Sequence, residues 1–321
     1  MKKFNEIFID KTKYGEKIQT SEYEKQGKHI IVDQGQAEIA GYTNREEGLF
    51  NEVPVIIFGD HTRLIKYIDE PFFLGADGVK VLRSKEKNAN YKYLYYALKS
   101  AKIPNTGYNR HFKWLKDVEI NYPDSVKQEK IVDILDRVSD VIEKRKAELS
   151  YLDTLIKARF VEMFGDPIRN TQNRPTIEFI NVVKMQRGFD LPVQDRQQDG
   201  EIPVYGSNGA LDYHNVAKIH GGVITGRSGT IGKVFYTEGD FWPLNTSLFS
   251  ADTHGNNVIY LGYLLQLFDL TRFVEGTGVP TLNRNMFHNK QIIDVPIDEQ
   301  RVFAAFVNEI DKSKLQKFSA A

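Results

Sequence analysis

The residues best suited to chemistry lie in two polar stretches of the second half of this 321-residue chain. The first, Gly226-Arg227-Ser228-Gly229-Thr230-Ile231-Gly232-Lys233, nearly spells a nucleotide-binding P-loop. It fails on spacing, because five residues rather than four separate Gly226 from Gly232, and Val234 stands where a Ser or Thr hydroxyl would hold magnesium. Two other readings suit it and are compatible. Glycine supplies the positive φ of a tight turn between strands. The same turn lets backbone N–H groups and the hydroxyls of Ser228 and Thr230 approach a phosphate, with Lys233 beside them and Arg227 free to fork onto a guanine edge. The second stretch carries Thr277, Thr281, Asn283 and Arg284. Asn pairs bidentately with adenine, and Arg with guanine or phosphate. The plain alternative is a polar loop before a strand.

No catalytic constellation competes with these patches. The seven His are scattered, none at metal-ligand spacing on an expected helix, and there is no Cys. No GxSxG elbow exists. An adenine methyltransferase would show an Asn-Pro-Pro-aromatic motif. The nearest string, Asp69-Glu70-Pro71-Phe72, lacks the Asn and the second Pro. Pro123-Asp124 with Glu129 reads as a helix start and not as a nuclease site. The chain is expected neither to methylate nor to cleave, and to hold no metal or cofactor of its own.

Charge is balanced, with 43 basic and 43 acidic residues. Taken alone this counts against a nucleic-acid binder, although what matters is where the charges lie. The lack of Cys removes disulfides and suits a reducing cytoplasm. The N-terminus, MKKFNEIFIDKTKYGEK, is not a signal peptide, and no apolar run reaches the roughly 20 residues that span a bilayer. A soluble, cytoplasmic protein is expected.

The element that must position both patches runs from Gln128 to Phe164, without a Gly or Pro, between Pro123 and Gly165-Asp166-Pro167. Ser125 and Gln128 have capping-box spacing. Ile131, Leu135, Val138, Ile142, Leu149, Leu152 and Ile156 recur as a heptad seam that Arg145 interrupts. After Ile156 the step slips to Phe160 and Met163, so the last turns are expected to pack on something other than a helical partner. At about 1.5 Å per residue this helix is about 55 Å long, too long for the inside of one domain. Short strands are expected at His29–Val32, Pro54–Phe58, Val79–Leu82, Ile202–Tyr205, Gly222–Thr225, Lys233–Tyr236 and Ser247–Ser250, and helices at Tyr91–Leu98, Ile259–Phe268 and from Asp298.

The two halves repeat. Val32–Tyr42 matches Pro203–Tyr213, and Pro54–Asp60 matches Gly221–Arg227. Tyr93, Leu94 and Tyr96 match Tyr260, Leu261 and Tyr263. Asn109-Arg110 falls opposite Asn283-Arg284, and Pro123 opposite Pro296. Gln128, Ile131, Leu135 and Val138 fall opposite Gln300, Phe303, Val307 and Ile310, so Phe303, Val307 and Ile310 are the expected pairing face of the last helix. That helix then meets Lys314 and Lys317, and reads as a short copy of the first. In the first half, Asp60, His61, Thr62 and Arg63 stand opposite the GRSG loop, and Tyr108, Asn109, Arg110 and His111 offer stacking, base pairing and phosphate contact. Gln34, Gln36, Ser207 and Asn208 read better as turn polar groups.

Two related modules joined by a helical ruler resemble the specificity (S) subunit of type I restriction–modification systems. The resemblance rests on the duplication, the helix ending Met163-Phe164-Gly165-Asp166-Pro167, the loop Ile224–Val234, the segment Gly278–Phe287 and the run Pro296–Asp311. It implies an α+β fold with target-recognition domains at 1–122 and 167–297. The spacer helix, 123–166, would pair as an antiparallel coiled coil with the C-terminal helix, 298–321. It implies binding of bipartite duplex DNA and docking of methyltransferase (M) subunits and the restriction/motor (R) subunit. S-adenosylmethionine, ATP and magnesium would belong to those partners. The shortened last helix puts the docking of one methyltransferase copy in question. Two rivals stand beside this reading: a coiled-coil adaptor binding protein partners, and a nucleotide-binding enzyme using Gly226–Lys233.

Overall fold

The computed structural model describes all residues except 76, 198, 277–279, 320 and 321, with side chains described as far as 315. The chain folds as two units, Met1–Lys144 and Arg145–Ala321. Each is a mixed sheet-and-helix body with its own core.

In the first unit, β1 (Phe8–Asp10), β2 (His29–Val32), β3 (Gly41–Thr43), β4 (Val55–Gly59), β5 (Ile65–Ile68), β6 (Phe72–Leu74) and β7 (Val79–Ser84) precede α1 (Tyr91–Lys99) and α2 (Phe112–Lys116). A four-stranded antiparallel sheet runs β1-β7-β4-β5. The centre strand β4 is buried on both faces, which is why its sequence, VIIF, shows no polar alternation. Ile56 and Phe58 pack with Leu82, Leu94 and Leu98 on the α1 side. Val55 and Ile57 pack with Ile30, Val32, Phe72 and Leu74 of the second sheet, β3-β2-β6. Each such side chain stabilises the fold by about 1.5–3 kcal/mol on burial.

The second unit repeats this order. Here β8 (Lys184–Arg187), β9 (Ile202–Gly206), β10 (Gly209–His214), β11 (Ile219–Gly226), β12 (Val234–Pro243) and β13 (Ser247–Asp252) form one six-stranded sheet, β8-β13-β11-β12-β9-β10. The single sheet arises because β12 does the work of both β5 and β6. Its start pairs antiparallel with β11 (Ile224↔Phe235), and its end pairs parallel with β9 (Val204↔Trp242). The first unit has the same parallel pair, Ile30↔Phe72.

Three helices tie sheet to helix bundle. The long helix, α3, spans Ser125–Phe164. It is followed in the second unit by α4 (Val258–Phe268) and α5 (Ile297–Ser319). α1 and α4 start alike, with Asn90 and Asn257 as N-caps accepting from the N–H groups of Tyr93 and Tyr260. The start of α3 differs from the capping box expected at Ser125. Asp124 is the cap, its carboxylate accepting from Lys127 N at 2.9 Å, and the Gln128 amide donates to the Pro123 carbonyl at 2.8 Å. Gln300 does the same to Val295, also at 2.8 Å. This pair fixes the register between the halves: Asp124, not Pro123, stands opposite Pro296.

α3 and α5 run antiparallel where they meet. Phe160 contacts Phe303, the Arg159 guanidinium lies over Phe306, and Asp153 pairs with Lys314 at 2.8 Å. Ile156, Phe160 and Phe164 are buried with Phe303 and Val307, and Ile310 packs on the same cluster. The last turns of α3 therefore pack on the partner helix as well as on the domain, contrary to the expectation drawn from the slipped step. Phe160 and Phe164 are large enough to touch both α4 and α5 at once. Elsewhere along the seam Leu149 and Leu152 are half-buried, Ile131 and Leu135 are half-buried against the first unit, and Val138 and Ile142 are exposed. Among the described residues no helix is long and apolar enough to cross a membrane.

Candidate nucleic-acid interface

The two candidate stretches of the second unit come together. The Arg227 carbonyl accepts from Leu282 N at 2.8 Å, and Ser228 bridges to Thr281. Gly226 allows the turn, because a Cβ there would collide with the Thr230 carbonyl oxygen, and Gly229 has φ 82°. A cleft of about 270 Å³ results. It is lined by Arg187, Arg227, Thr281, Asn283, Arg284 and Asn285. Among the described residues none of these three guanidinium groups has an ion-pair or hydrogen-bond partner. Three unneutralised cations around one cleft form a site for an anion or for the acceptor edge of a guanine. Burial, with Arg284 and Lys184 adding to it, holds the neighbouring His288 below the ordinary histidine range. Its Nε2 accepts from Met185 N at 3.2 Å.

Lys233 and Thr230 stand apart from this cleft. Lys233 Nζ donates to Asn208 Oδ1 at 2.7 Å, closing the far side of the same turn. Thr277 lies outside the described residues. Arg187 is the member that the sequence did not reveal. It ends β8 opposite Leu248, and Gly188 follows where a side chain would strike the Leu244 and Pro243 carbonyls. An arginine closing a strand against an obligatory glycine was the available signal.

The first unit builds the same junction from different residues. The Asp60 carbonyl accepts from His111 N at 2.7 Å, as Arg227 does from Leu282. This tie sets His111 opposite Leu282, so Asn283-Arg284 fall opposite Phe112-Lys113 and not opposite Asn109-Arg110. Asp60 and His111 are both buried. The Asp60 carboxylate accepts from Phe112 N at 2.7 Å, and the His111 ring meets the Asp60 carbonyl at 3.0 Å. They pin the loop to α2 and are not open to a base. Thr62 and Arg63 are likewise engaged, with the Gln34 and Ile103 carbonyls respectively. The Asn109 amide donates to the Thr106 carbonyl at 2.6 Å. What remains for a ligand is Arg110, which is exposed, and an aromatic stack. Tyr108 is 87% exposed and lies on the His61 ring at 4.8 Å with 9° between planes. Among the described residues no group of three or more His, Cys, Asp or Glu is placed to hold a metal ion.

Comparison with known proteins agrees with the duplication. The model of the type I restriction modification DNA specificity domain matches residues 1–151 and again 177–318. The specificity subunit of the type I restriction enzyme EcoR124I/EcoR124II of Escherichia coli is 29% identical over 133 residues. That alignment covers 37% of this chain and 33% of the subunit, so the match spans about a third of this relative's length. Among solved structures, the S subunit of a type I restriction–modification system from M. genitalium shares the fold with a TM-score of 0.62 at 18% identity, over 99% of this chain and 91% of that one. A chain from a structure of complex assembly and conformational transition of the type I R-M system gives 0.50 at 13% identity, over 99% and 91%. With both repeats matched, the chain belongs to the type I restriction modification DNA specificity domain family.

Proposed function

We propose that the chain is the specificity subunit of a type I restriction–modification complex, reading a split duplex target with one unit on each half-site. The observation that carries this reading is the repeated junction. The same backbone tie joins two loops in both units, yet its side chains differ, an arginine-lined cleft in one and a Tyr108–His61 stack beside Arg110 in the other. Equivalent scaffolds with unlike surfaces suit two half-sites of unlike sequence. Arg187, Arg227 and Arg284 read guanine edges or grip phosphate, whereas the Asn283 side-chain oxygen caps the following turn by accepting from Asn285 N at 3.1 Å, which leaves its amide N–H groups for a ligand. The near-neutral chain shares the clamping of DNA with basic partners. It has no catalytic role: methylation and cleavage, with their S-adenosylmethionine, ATP and magnesium, fall to M and R subunits docked on the helices.

Selection from a random duplex library, with and without the methyltransferase subunit, tests the proposal. The expected product is two short blocks separated by a fixed unread gap. Failure to enrich any sequence in either condition would overturn the DNA reading in favour of a protein adaptor. ATP or GTP binding by the purified chain would revive the nucleotide reading of Gly226–Lys233.

A further inference from the structure

The Tyr108–His61 stack of the first unit is held from both sides by the fold. The His61 backbone N–H donates to the Gln34 side-chain oxygen at 3.1 Å. The nitrogen of the same amide donates to the Asp77 carbonyl at 2.9 Å, and the Gln34 carbonyl accepts from the Thr62 hydroxyl at 2.7 Å. One residue thus ties the loop after β2 to the loop after β4 and to the turn before β7. Gly78 makes room for it, since a Cβ there would come within 2.6 Å of the amide nitrogen. Tyr108 rides on a turn braced from within. Gly107, at φ 76°, lets the chain reverse, its N–H donating to Asn105 Oδ1 at 3.2 Å and its carbonyl accepting from Asn109 N at 2.9 Å. The Thr106 hydroxyl meets Nε2 of His111, the buried anchor on Asp60, at 3.4 Å.

Both rings are therefore seated before any ligand arrives. His61 covers one face of Tyr108, and the rest of the ring is open to solvent. An open ring face finds no counterpart on intact duplex DNA, whose grooves present base edges, sugars and phosphates. It finds one where a base leaves the stack. A ring already fixed on His61 loses little further freedom when a base settles on it. Arg110 is exposed two residues further on. Lys17, and to a lesser degree Arg110, hold the Asp77 carboxyl below the usual carboxylate range, which puts Arg110 beside the turn that Gln34 grips. A cation there suits the phosphate of an opened base step.

We infer that Tyr108, backed by His61, is a stacking platform for one base of the first unit's half-site, which leaves the duplex stack and lays its face on the tyrosine ring. The inference rests on the DNA reading above and adds a mode to it. The second unit reads edges and grips phosphate with arginines, and the first reads one position by how readily its step opens. Pyrimidine–purine steps open most easily, so the platform favours one of them.

The test uses the full chain with the methyltransferase subunit and the duplex recovered by library selection. 2-Aminopurine, which brightens when unstacked, replaces each purine of both strands in turn, so that every base pair is sampled. One position should brighten in the half-site whose information Arg227→Ala leaves intact. Tyr108→Ala should abolish that signal and weaken binding about fivefold or more, the loss of one base–aromatic stack. Tyr108→Phe should restore both, because it restores the ring. A base everted by the methyltransferase brightens whatever stands at position 108, and is told apart in this way. A second probe needs no selected sequence. A labelled oligothymidylate, whose ring faces are already open, should bind the full chain about fivefold or more tightly than Tyr108→Ala, with Tyr108→Phe again restoring binding. A selected duplex in which no position brightens, or in which every bright position survives Tyr108→Ala, would overturn the platform and leave the DNA reading standing. Failure of Tyr108→Phe to restore the signal would overturn it too, by making the hydroxyl the contact. If selection returns no sequence, the oligothymidylate decides: capture that depends on the Tyr108 ring upholds the platform without the split-target reading, and capture indifferent to Tyr108→Ala, or none, overturns it.

Discussion

Arg187, Arg227 and Arg284 are the residues on which the recognition proposal turns. Arginine keeps its charge at any working pH, and its fork matches both guanine and phosphate, so truncation separates the two roles. Arg227→Ala and Arg284→Ala are expected to cost about 1–3 kcal/mol each if they read a base, relaxing one position of the half-site held by the second unit. Library selection with each variant checks this. If both half-sites lose information equally, the assignment is wrong; if affinity drops uniformly and the salt slope falls by about one, the residue holds phosphate. His288, beside this cleft, gives a second prediction. Its folded form resists protonation because of burial, with Arg284 and Lys184 adding to it. The unfolded chain therefore binds the proton more readily. The contribution to stability is complete above the ordinary histidine value of 6.5 and is lost as pH falls below it toward the lower folded value. One proton can change stability by at most about 1.4 kcal/mol per pH unit. His288→Gln keeps an acceptor for Met185 N and removes the titration. Urea melts at pH 7 and pH 5 should show a smaller acid loss in the variant, and equal losses would refute the assignment. The cationic loops were legible in sequence because Gly, Ser and Thr surround them. Asp60 and His111 were misread, because neighbours in an exposed stretch do not disclose a buried hydrogen-bonded pair.

At the scale of elements, α3 was the most legible feature, since nothing in forty residues can break it. Its partner side was only partly so. Heptad spacing identifies an apolar stripe but not what covers it. The stripe divides into a stretch closed by α5 and a stretch half-buried or exposed. Edge strands such as β1, β3 and β8 were missed because they are short and carry little apolar alternation. The closed end of α3 gives the element-scale prediction. Phe160 is fully buried among Tyr260, Phe164 and Phe303. Phe160→Ala should destabilise the second unit by about 3–5 kcal/mol. Phe160→Leu should cost much less, because it retains most of the apolar volume. Denaturant midpoints with unchanged m-values would check both. A loss below about 1 kcal/mol for the Ala variant would mean that α3 does not anchor this core.

At the scale of the molecule, the duplication was readable from landmarks, but its register was not. Sequence similarity placed Pro123 opposite Pro296 and Asn109 opposite Asn283. Hydrogen bonds from Gln128 and His111 moved the first by one residue and the second by three. Similar letters a few positions apart cannot be ranked without knowing which backbone groups they satisfy. The repeat also frames the last prediction. α3 joins one recognition unit to the other, and if it sets the spacing of the half-sites, its length should be written in the DNA. Seven residues are nearly two full turns, so deleting one heptad shortens a helix by about 10 Å while preserving the facing of its ends within about 20°. On B-DNA, where about 10 base pairs span 34 Å, this corresponds to a gap about three base pairs shorter. The deletion is best made between Val138 and Arg145, outside the buried turns at either end of α3. Selection should return the same two blocks with a reduced gap, because neither arginine cleft nor aromatic stack has been altered. Unchanged spacing would show that the gap is set by the partners and that α3 is a docking strut and not a ruler.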